Sequence, residues 1–272
     1  MKFTIIADSC CDLCGKDLTG EKIDFFTVPI TLSIDGEDFP DEEGLDTKML
    51  VEKMRKGTSI KSACPSPAKF IDIMKQHDNI ICVTISNKLS GTYSSAAIAA
   101  EQIKKEFPKK KVFVFDSYSA SAGVAHMLFK IKDLIEDGKT FDEIVERLNG
   151  IRMATRVRFM LQDLGNLVKT GRMKKIVGMV FGITALKLIL GDNEAGEIKK
   201  HGISMGTRKG IVALSEFAKE SNTIVISHCN NEEDASTLKS LLEKLGILNI
   251  KTLLMRGCAS LFANDKGLLI AY

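Results

Sequence analysis

The stretch Asn79–Glu101 (NIICVTISNKLSGTYSSAAIAAE) is the feature that most constrains the fold. It opens on a short apolar run rich in β-branched residues, which predicts a buried strand. It closes on an alanine-rich segment, which predicts a helix. The turn between the two, SNKLSGTYSS, is crowded with hydroxyl groups. A strand that runs through a short turn into a helix indicates an α/β fold.

This turn has the composition of an anion site. A strand-to-helix turn presents free backbone N–H groups and the positive end of a helix dipole. Ser86, Ser90 and Thr92 add hydroxyl donors aimed at the same point, and Gly91 is the one glycine among them. The same residues would equally serve as an ordinary helix cap, and the pattern alone does not separate the two interpretations.

Two further predicted strands end in the same way. Lys2–Ala7 runs into Asp8-Ser9, and Lys109–Phe115 runs into Asp116-Ser117. Strands of one type with polar carboxyl ends, separated by helices, predict a parallel sheet. Ligands of open α/β sheets gather at the carboxyl ends of the strands.

The sequence changes character after about residue 155, where a basic, glycine-punctuated segment (DLGNLVKTGRMKK) and an apolar stretch follow. We therefore predict two α/β domains, residues 1–155 and 156–272. No repeat or low-complexity linker separates them.

Hydrophobic periodicity predicts several other elements. Phe25–Ile34 is expected to be one extended run, residues 37–44 (EDFPDEEG) a solvated loop, and Ser62–Pro67 an irregular loop. Ile176–Leu190 is too short to span a bilayer and is expected to be a core helix or a pocket wall. Helices are predicted over Thr47–Lys56, Ala120–Asp137, Phe141–Met153, Thr207–Lys219 and Glu232–Leu245.

Charge and targeting signals predict an ordinary cytoplasmic protein. The 38 basic and 35 acidic side chains leave a formal charge of only +3, which gives no electrostatic reason to expect nucleic acid. The N-terminus, MKFTIIADS, becomes polar too soon for a signal peptide. We therefore expect a cytoplasmic location without a membrane span.

The seven cysteines are scattered and are expected to be thiols. Cys11 and Cys14 have C-x-x-C spacing, but a zinc site would need a second ligand pair that the sequence does not offer. A structural role is favoured, and a redox role stays open. The sequence contains no G-x-G-x-x-G, Walker or H-E-x-x-H motif, so no cofactor is predicted.

Three residues combine into a candidate site. Ser62 lies in a loop with prolines, Ser90 in the strand-to-helix turn, and Arg172 in a glycine turn. An arginine facing two serines would form a cradle for a carboxylate or a phosphate. Arg172 would also fit as a surface cation. A serine-dependent acyl- or phosphoryl-transfer enzyme with Ser90 as nucleophile is the alternative, since any of the four histidines could supply the base.

Six segments together resemble the DegV family of bacterial fatty-acid-binding proteins. In chain order, the first three resemble the family's opening D-S-T-x-D-L turn, its T-S-x-P-S loop and its S-x-x-L-S-G-T-Y-x-S-A signature. The last three resemble its later D-S strand end, its L-x-x-L-x-x-G-R segment and its T-R-x-x-A/G helix start. They occur in the family's order and span nearly the whole chain: IIADSCCDL, SACPSPAKF, SNKLSGTYSSA, VFVFDS, LGNLVKTGR and TRKG.

The resemblance implies a parallel-sheet N-terminal domain and a mixed-sheet C-terminal domain, with one long-chain fatty acid in a tunnel between them. The family's carboxylate-binding positions map onto Ser62, Ser90 and Arg172. Such proteins are non-catalytic carriers of phospholipid metabolism, which present the fatty acid to a separate ATP-binding fatty acid kinase subunit. Met127, Leu128, Ile131 and Met179–Leu190 are candidate tunnel walls.

The resemblance also has departures. The family carries a proline and a histidine near its C-terminus, where this chain has Cys258 and, at the histidine's place, Ala263 or Asn264. Cys10 takes a position that is usually threonine. Because the histidine is thought to lie near the carboxylate, a lipid carrier that is not coupled to a kinase is a further alternative.

Overall fold

The computed structural model describes residues 2–173 and 186–272. Its strands are β1 (Phe3–Asp8), β2 (Ile23–Val28), β3 (Thr31–Ile34), β4 (Glu37–Pro40), β5 (Ile60–Ala63), β6 (Asn79–Thr84), β7 (Lys111–Asp116), β8 (Val157–Met160), β9 (Leu186–Asp192), β10 (Ile198–Met205), β11 (Thr223–His228), β12 (Asn249–Leu254) and β13 (Leu268–Ala271). Its helices are α1 (Gly15–Leu18), α2 (Thr47–Lys56), α3 (Pro67–Met74), α4 (Thr92–Glu106), α5 (Ala122–Glu136), α6 (Phe141–Ala154), α7 (Gly165–Lys169), α8 (Thr207–Phe217), α9 (Glu232–Lys244) and α10 (Gly257–Ala263).

The N-terminal domain contains the predicted parallel sheet, in the order β2-β1-β6-β7. All three strand pairings are parallel. The central strands β1 and β6 are buried almost throughout, because helices cover both faces of the sheet. Helices α3 and α4 pack together on one face, where Phe70 and Ile103 join the apolar core beneath them. The sheet therefore carries β1, β6 and β7 side by side, with their carboxyl ends at one edge.

The C-terminal domain is built on a mixed sheet, in the order β10-β9-β8-β13-β11-β12. Strands β11 and β12 are parallel, and the other neighbours are antiparallel. Helices α8 and α9 cover one face, and α5 of the N-terminal domain contacts β11 and β13. The two predicted sheet types are thus confirmed, while the boundary at residue 155 stays a prediction.

A third, antiparallel sheet of order β4-β3-β5 corrects two predictions. Phe25–Ile34 is not one extended run, since Pro29 separates β2 from β3 and the two strands lie in different sheets. Residues 37–44 are not simply a solvated loop. Residues 37–40 form β4, and Asp41 is fully buried, because its charge is compensated by hydrogen bonds from another part of the fold.

Two further predictions were wrong in their element type. Ser62 lies on β5 rather than in an irregular loop, and only the residues after it leave the strand. Leu186–Leu190 belongs to β9, not to a helix. The rest of that apolar stretch, residues 176–185, lies outside the described residues, as do Lys174 and Lys175.

A buried polar network ties the two domains together around Arg256. Its guanidinium donates to the carbonyl oxygens of Leu13 and Asp41, and to Thr27 Oγ1 at 3.1 Å. The Asp41 carboxylate accepts from the backbone N–H groups of Gly257 and Cys258 at 2.9 and 2.8 Å. The network therefore joins the region of β4 to the start of α10.

Asp12 belongs to the same network. Its carboxylate accepts from the Arg256 backbone N–H at 3.0 Å and from the Ser121 hydroxyl. Burial raises the pKa of Asp12 from 3.8 to about 7, although these hydrogen bonds oppose the shift. The folded protein therefore keeps this proton over a pH range in which the unfolded chain has lost it.

Replacing Asp12 by asparagine should reveal this proton in the pH dependence of stability. Between pH values of about 4 and 7 the folded state binds more protons at Asp12 than the unfolded state, so ionisation lowers the free energy of unfolding as pH rises. Urea unfolding of wild type and Asp12→Asn across this range measures the effect. Wild type should lose stability relative to the variant as pH rises, and a pH-independent difference would contradict the assignment.

Candidate functional site

A largely apolar cavity of about 910 Å³, open mouth included, lies between the two domains. It is referred to below as the apolar cavity. Both domains contribute to its wall, and such interdomain cavities are common ligand sites. Its apolar lining residues include Ile30, Ile85, Leu89, Val157, Phe159, Leu161, Leu167, Ile198, Met255, Phe262 and Leu269. Its polar lining includes the three predicted cradle residues, Ser62, Ser90 and Arg172.

The repeated strand-Asp-Ser ending fixes the loop that carries Ser90. Asp8, at the end of β1, accepts from the backbone N–H groups of Ile85 and Cys10 at 2.7 and 3.1 Å. Asp116, at the end of β7, accepts from the Asn87 backbone N–H at 3.1 Å. Because β6 lies between β1 and β7, the loop after β6 is held by a carboxylate from either side. These two aspartates position the loop.

Burial perturbs both carboxyl groups. It raises the pKa of Asp8 to about 7 and also raises the pKa of Asp116, in each case against the hydrogen bonds that favour the charged form. A second oxygen of Asp116, Oδ2, is buried without a hydrogen-bond partner among the described residues. The loop is therefore positioned by groups that the fold keeps away from water.

Ser90 stands directly before the N-terminus of α4. Its Oγ lies 2.8 Å from Thr92 Oγ1 and accepts from the Thr92 backbone N–H at 3.3 Å. In the described part of the chain, the backbone N–H groups of Tyr93 and Ser94 donate to no acceptor. Gly91, at the N-cap, allows the loop at Cys64 to approach, because an added Cβ would lie 3.2 Å from its sulfur. The start of α4 is thus a source of free donors beside Ser90.

Arg172 is held at the cavity by the turn that ends α7. Gly171 has a φ of +77°, and the Arg172 backbone N–H then closes the turn onto Leu167 O at 2.9 Å. The guanidinium donates to Leu89 O at 3.3 Å and to Thr170 O at 2.9 Å. These contacts aim a half-buried cation at the loop that carries Ser90.

The structure brings the three predicted cradle residues together. The Nη2 group of Arg172 donates weakly to Ser62 Oγ at 3.5 Å, and Leu89, which accepts from the same side chain, precedes Ser90. One guanidinium therefore connects β5 with the loop after β6. The combination of a cation, two hydroxyl groups and a helix N-terminus suits a carboxylate or a phosphate.

Ser86 has a different place from the one expected. Its hydroxyl donates to Gly196 O at 2.8 Å and accepts from the Lys88 backbone N–H at 3.2 Å. The side chain is fully buried and bridges the loop to the C-terminal domain. Ser86 is therefore not aimed at the same point as Ser90, and Thr92 reaches that point only through Ser90.

The position of the family histidine is occupied by small and apolar groups. Ala263 is buried and lines the cavity, whereas the Asn264 amide donates away to Asp163 Oδ2 at 3.1 Å. Of the two candidates, Ala263 is thus the one at the site. Its neighbour Phe262 places its ring 5.4 Å from the Arg172 guanidinium, which is a cation–π contact.

The described hydrogen bonds give Ser90 no base. His126 Nδ1 lies 3.2 Å from Thr155 Oγ1, and His201 Nε2 lies 3.0 Å from Asp192 O. His228 Nδ1 accepts from the Asn231 backbone N–H at 3.3 Å. The His77 ring packs against the Phe26 ring, with 5.1 Å between the ring centroids. The four histidine rings are thus engaged elsewhere, which favours Ser90 as a hydrogen-bond donor over Ser90 as a nucleophile.

The predicted cavity walls are only partly found. Leu128 and Ile131 are core residues that do not line the apolar cavity, and Met127 lines a different cavity. Residues 179–185 lie outside the described part of the chain. Cys10 and Cys258 both line the apolar cavity as buried free thiols. No helix of the described residues is long and apolar enough to cross a membrane.

Comparisons with known proteins identify the family. A family model described as "Uncharacterised protein, DegV family" matches residues 2–260. A DegV domain-containing protein of Streptococcus pyogenes serotype M18 is 32% identical, with 100% of this chain and 99% of the relative covered. The chain therefore belongs to the DegV family.

Solved structures agree with this assignment. The Fatty Acid Kinase (Fak) B3 protein of Streptococcus pneumoniae, loaded with linoleic acid, is 32% identical with a TM-score of 0.93, covering 100% of this chain and 99% of that one. A DegV family protein from Eubacterium eligens, loaded with heptadecanoic acid, is 28% identical with a TM-score of 0.92, covering 99% of this chain and 98% of that one.

Proposed function

We propose that this member of the DegV family binds one long-chain fatty acid in the apolar cavity and holds its carboxylate with Ser62, Ser90 and Arg172. The observation that carries the proposal is the position of these three side chains in the wall of an otherwise apolar cavity between the domains. Two structural relatives at 32% and 28% identity hold fatty acids. A fatty acid has the matching chemistry, one anionic head on a long apolar chain.

The two parts of the site have different tasks. Burying an acyl chain of about 14 methylenes contributes on the order of 11 kcal/mol, before the costs of ordering the ligand. Charge-assisted hydrogen bonds to the carboxylate add about 1.5–3 kcal/mol each at best, less the cost of removing it from water. The chain therefore supplies most of the affinity, and the polar residues set the orientation of the ligand.

Recovery of the natural ligand tests the proposal directly. Purified protein is denatured and extracted, and the extract is analysed by mass spectrometry for fatty acids. We expect a long-chain fatty acid in near-stoichiometric amount, and a thermal shift when palmitate or oleate is added to delipidated protein. An extract without fatty acid, together with no thermal shift, would refute the proposal.

Affinity should rise steeply with chain length, because each added methylene is buried in the cavity. Dodecanoate has four methylenes fewer than palmitate, so it should bind about 3 kcal/mol more weakly, roughly 200-fold in Kd. Displacement of a fluorescent fatty acid by both ligands measures the ratio. Equal affinities would show that the chain remains in solvent.

We further propose that the protein is a non-catalytic carrier that presents the fatty acid to a separate ATP-dependent kinase subunit. The carboxylate would be held by groups around Arg172, which is half-buried, so the head of the ligand would lie nearer to solvent than its chain. The chain itself offers no nucleotide motif. Formation of an acyl phosphate upon addition of a fatty acid kinase subunit and ATP tests this step.

The variant Ala263→His tests whether the missing histidine limits the coupling. Ala263 lies in the cavity wall beside Phe262, which stacks on Arg172, so a histidine there would add a donor near the carboxylate. We expect the variant to increase the rate of acyl phosphate formation at unchanged or tighter binding. Asn264→His is the matched control, because Asn264 points to Asp163. A rate increase in the control alone would contradict this placement.

A further inference from the structure

A second cavity, of about 1160 Å³ with its open mouth included, adjoins the apolar cavity and has a basic lining. Tyr118 and Asp192 line both cavities, so the two share this part of their walls. It is referred to below as the cationic cavity. Its basic side chains are Arg152, Arg156, Arg158, Lys199 and His201. The proposed fatty-acid function uses none of them.

The positive charge of this cavity is only partly compensated. Its carboxylates are Asp192 and Glu194, and Arg158 pairs with Asp192 at 3.2 Å. Within residues 2–173 and 186–272, the remaining cations Arg152, Arg156 and Lys199 form no salt bridge. Four permanent cations therefore face two carboxylates.

The guanidinium groups of Arg152 and Arg156 are held in place by carbonyl oxygens and an aromatic ring rather than by salt bridges. Arg152 stacks on the Tyr118 ring at 4.1 Å and donates to Asp116 O at 3.2 Å. Arg156 donates to the carbonyl oxygens of Met153 and Thr155 at 2.5 and 3.0 Å. Carbonyl oxygens position a guanidinium without neutralising it, so an anionic ligand would gain from both charges.

Partial burial adds to the cost of this positive charge. The Nε atoms of Arg152 and Arg158 are buried without a hydrogen-bond partner among the described residues. The residue Arg158 is only 9% exposed. Burial, reinforced by the fields of Arg158 and Lys199, also lowers the pKa of His201. Arg152 and Arg156 are half-buried and have no salt bridge among the described residues, whereas Lys199 is exposed, so an anionic ligand would chiefly offset the cost of the two arginines.

We propose that the cationic cavity binds a small phosphate monoester, with its phosphate held by Arg156, Arg158 and Lys199. A monoester phosphate carries a charge of about −1.5 to −2 at neutral pH, which matches the excess of four cations over two carboxylates. Guanidinium groups suit its oxygens through paired N–H donors. The Tyr118 ring and the side chain of Met153 offer apolar surface to the organic part.

Binding of glycerol 3-phosphate to the full-length protein tests the proposal, measured by isothermal titration calorimetry at low ionic strength. Inorganic phosphate and glycerol are titrated in parallel, and sodium chloride at matched ionic strength corrects for screening. We expect saturable binding of glycerol 3-phosphate and none of glycerol. No saturable binding of glycerol 3-phosphate, or binding of inorganic phosphate alone, would overturn the assignment.

Two paired variants decide whether binding is local. Arg156→Gln/Lys199→Gln removes two charges from the cationic cavity, and Lys104→Gln/Lys105→Gln removes two exposed charges from the end of α4. The first should weaken binding by about tenfold or more, and the second should change it less than about twofold. Equal loss in both pairs, or no loss in the first, would refute the site. Palmitate binding, measured in the same samples, should stay at the wild-type level and so verifies the fold.

Discussion

Replacing Arg172 by methionine should weaken palmitate binding roughly 10- to 100-fold while leaving hexadecanol binding nearly unchanged. Arg172 is the cation of the proposed carboxylate cradle, and hexadecanol has the same chain without the charge. Methionine keeps an apolar stem beside Phe262, so the lost interaction is chiefly the charge. Displacement of a fluorescent fatty acid by each ligand gives the two affinities.

The variant Lys169→Met is the matched control. Lys169 belongs to α7, which precedes the turn of Arg172, and its side chain is exposed. Its replacement removes the same charge from the same region, and palmitate affinity should change less than about twofold. If Arg172→Met lost both ligands equally, its role would be structural. If it kept palmitate affinity, the proposed cradle would be wrong.

The largest effect on stability is expected for Arg256→Met, which should lower the free energy of unfolding by about 3–5 kcal/mol. The Arg256 and Asp41 side chains are 8% and 1% exposed, so the change leaves a buried carboxylate without its cation. In a chain of this size, the melting temperature should fall by roughly 10 °C. Differential scanning calorimetry measures this shift.

A surface ion pair provides the comparison for this variant. Arg55 pairs with Asp265, with side chains 59% and 22% exposed, so Arg55→Met should cost less than about 1 kcal/mol. Adding Asp41→Asn to Arg256→Met should recover part of the lost stability, because it removes the unpaired charge. A double variant less stable than Arg256→Met alone would contradict the argument.

The sequence predicts those parts of the fold whose signal is local. The apolar run of β6 and the alanine-rich α4 are visible in composition, and α2 has Asp46 at its start and Gly57 at its end. Strands β4 and β10 carry no such signal, because they are partly exposed edge strands rich in polar residues. Each pairs only with the strand directly before it, β3 or β9, so its own composition had to supply the signal and did not.

The same distinction applies to the candidate site. Ser90 and Arg172 are predictable because each stands in a turn with a recognisable motif. The burial of Asp41 is not predictable from the sequence, because it depends on the backbone N–H groups of Gly257 and Cys258, which lie far along the chain. The roles of Asp8 and Asp116 had a visible signal, the repeated strand-Asp-Ser ending, but only the strand order shows that both hold one loop.

The position of β13 has a consequence for how the protein folds during synthesis. This strand lies between β8 and β11, yet both of its neighbours precede it in the chain. Until the ribosome releases β13, strands β8–β10 and β11–β12 form two separate pieces with exposed edges. We therefore expect the C-terminal domain to fold late and in one step, with chaperone contact concentrated on these unpaired edges beforehand.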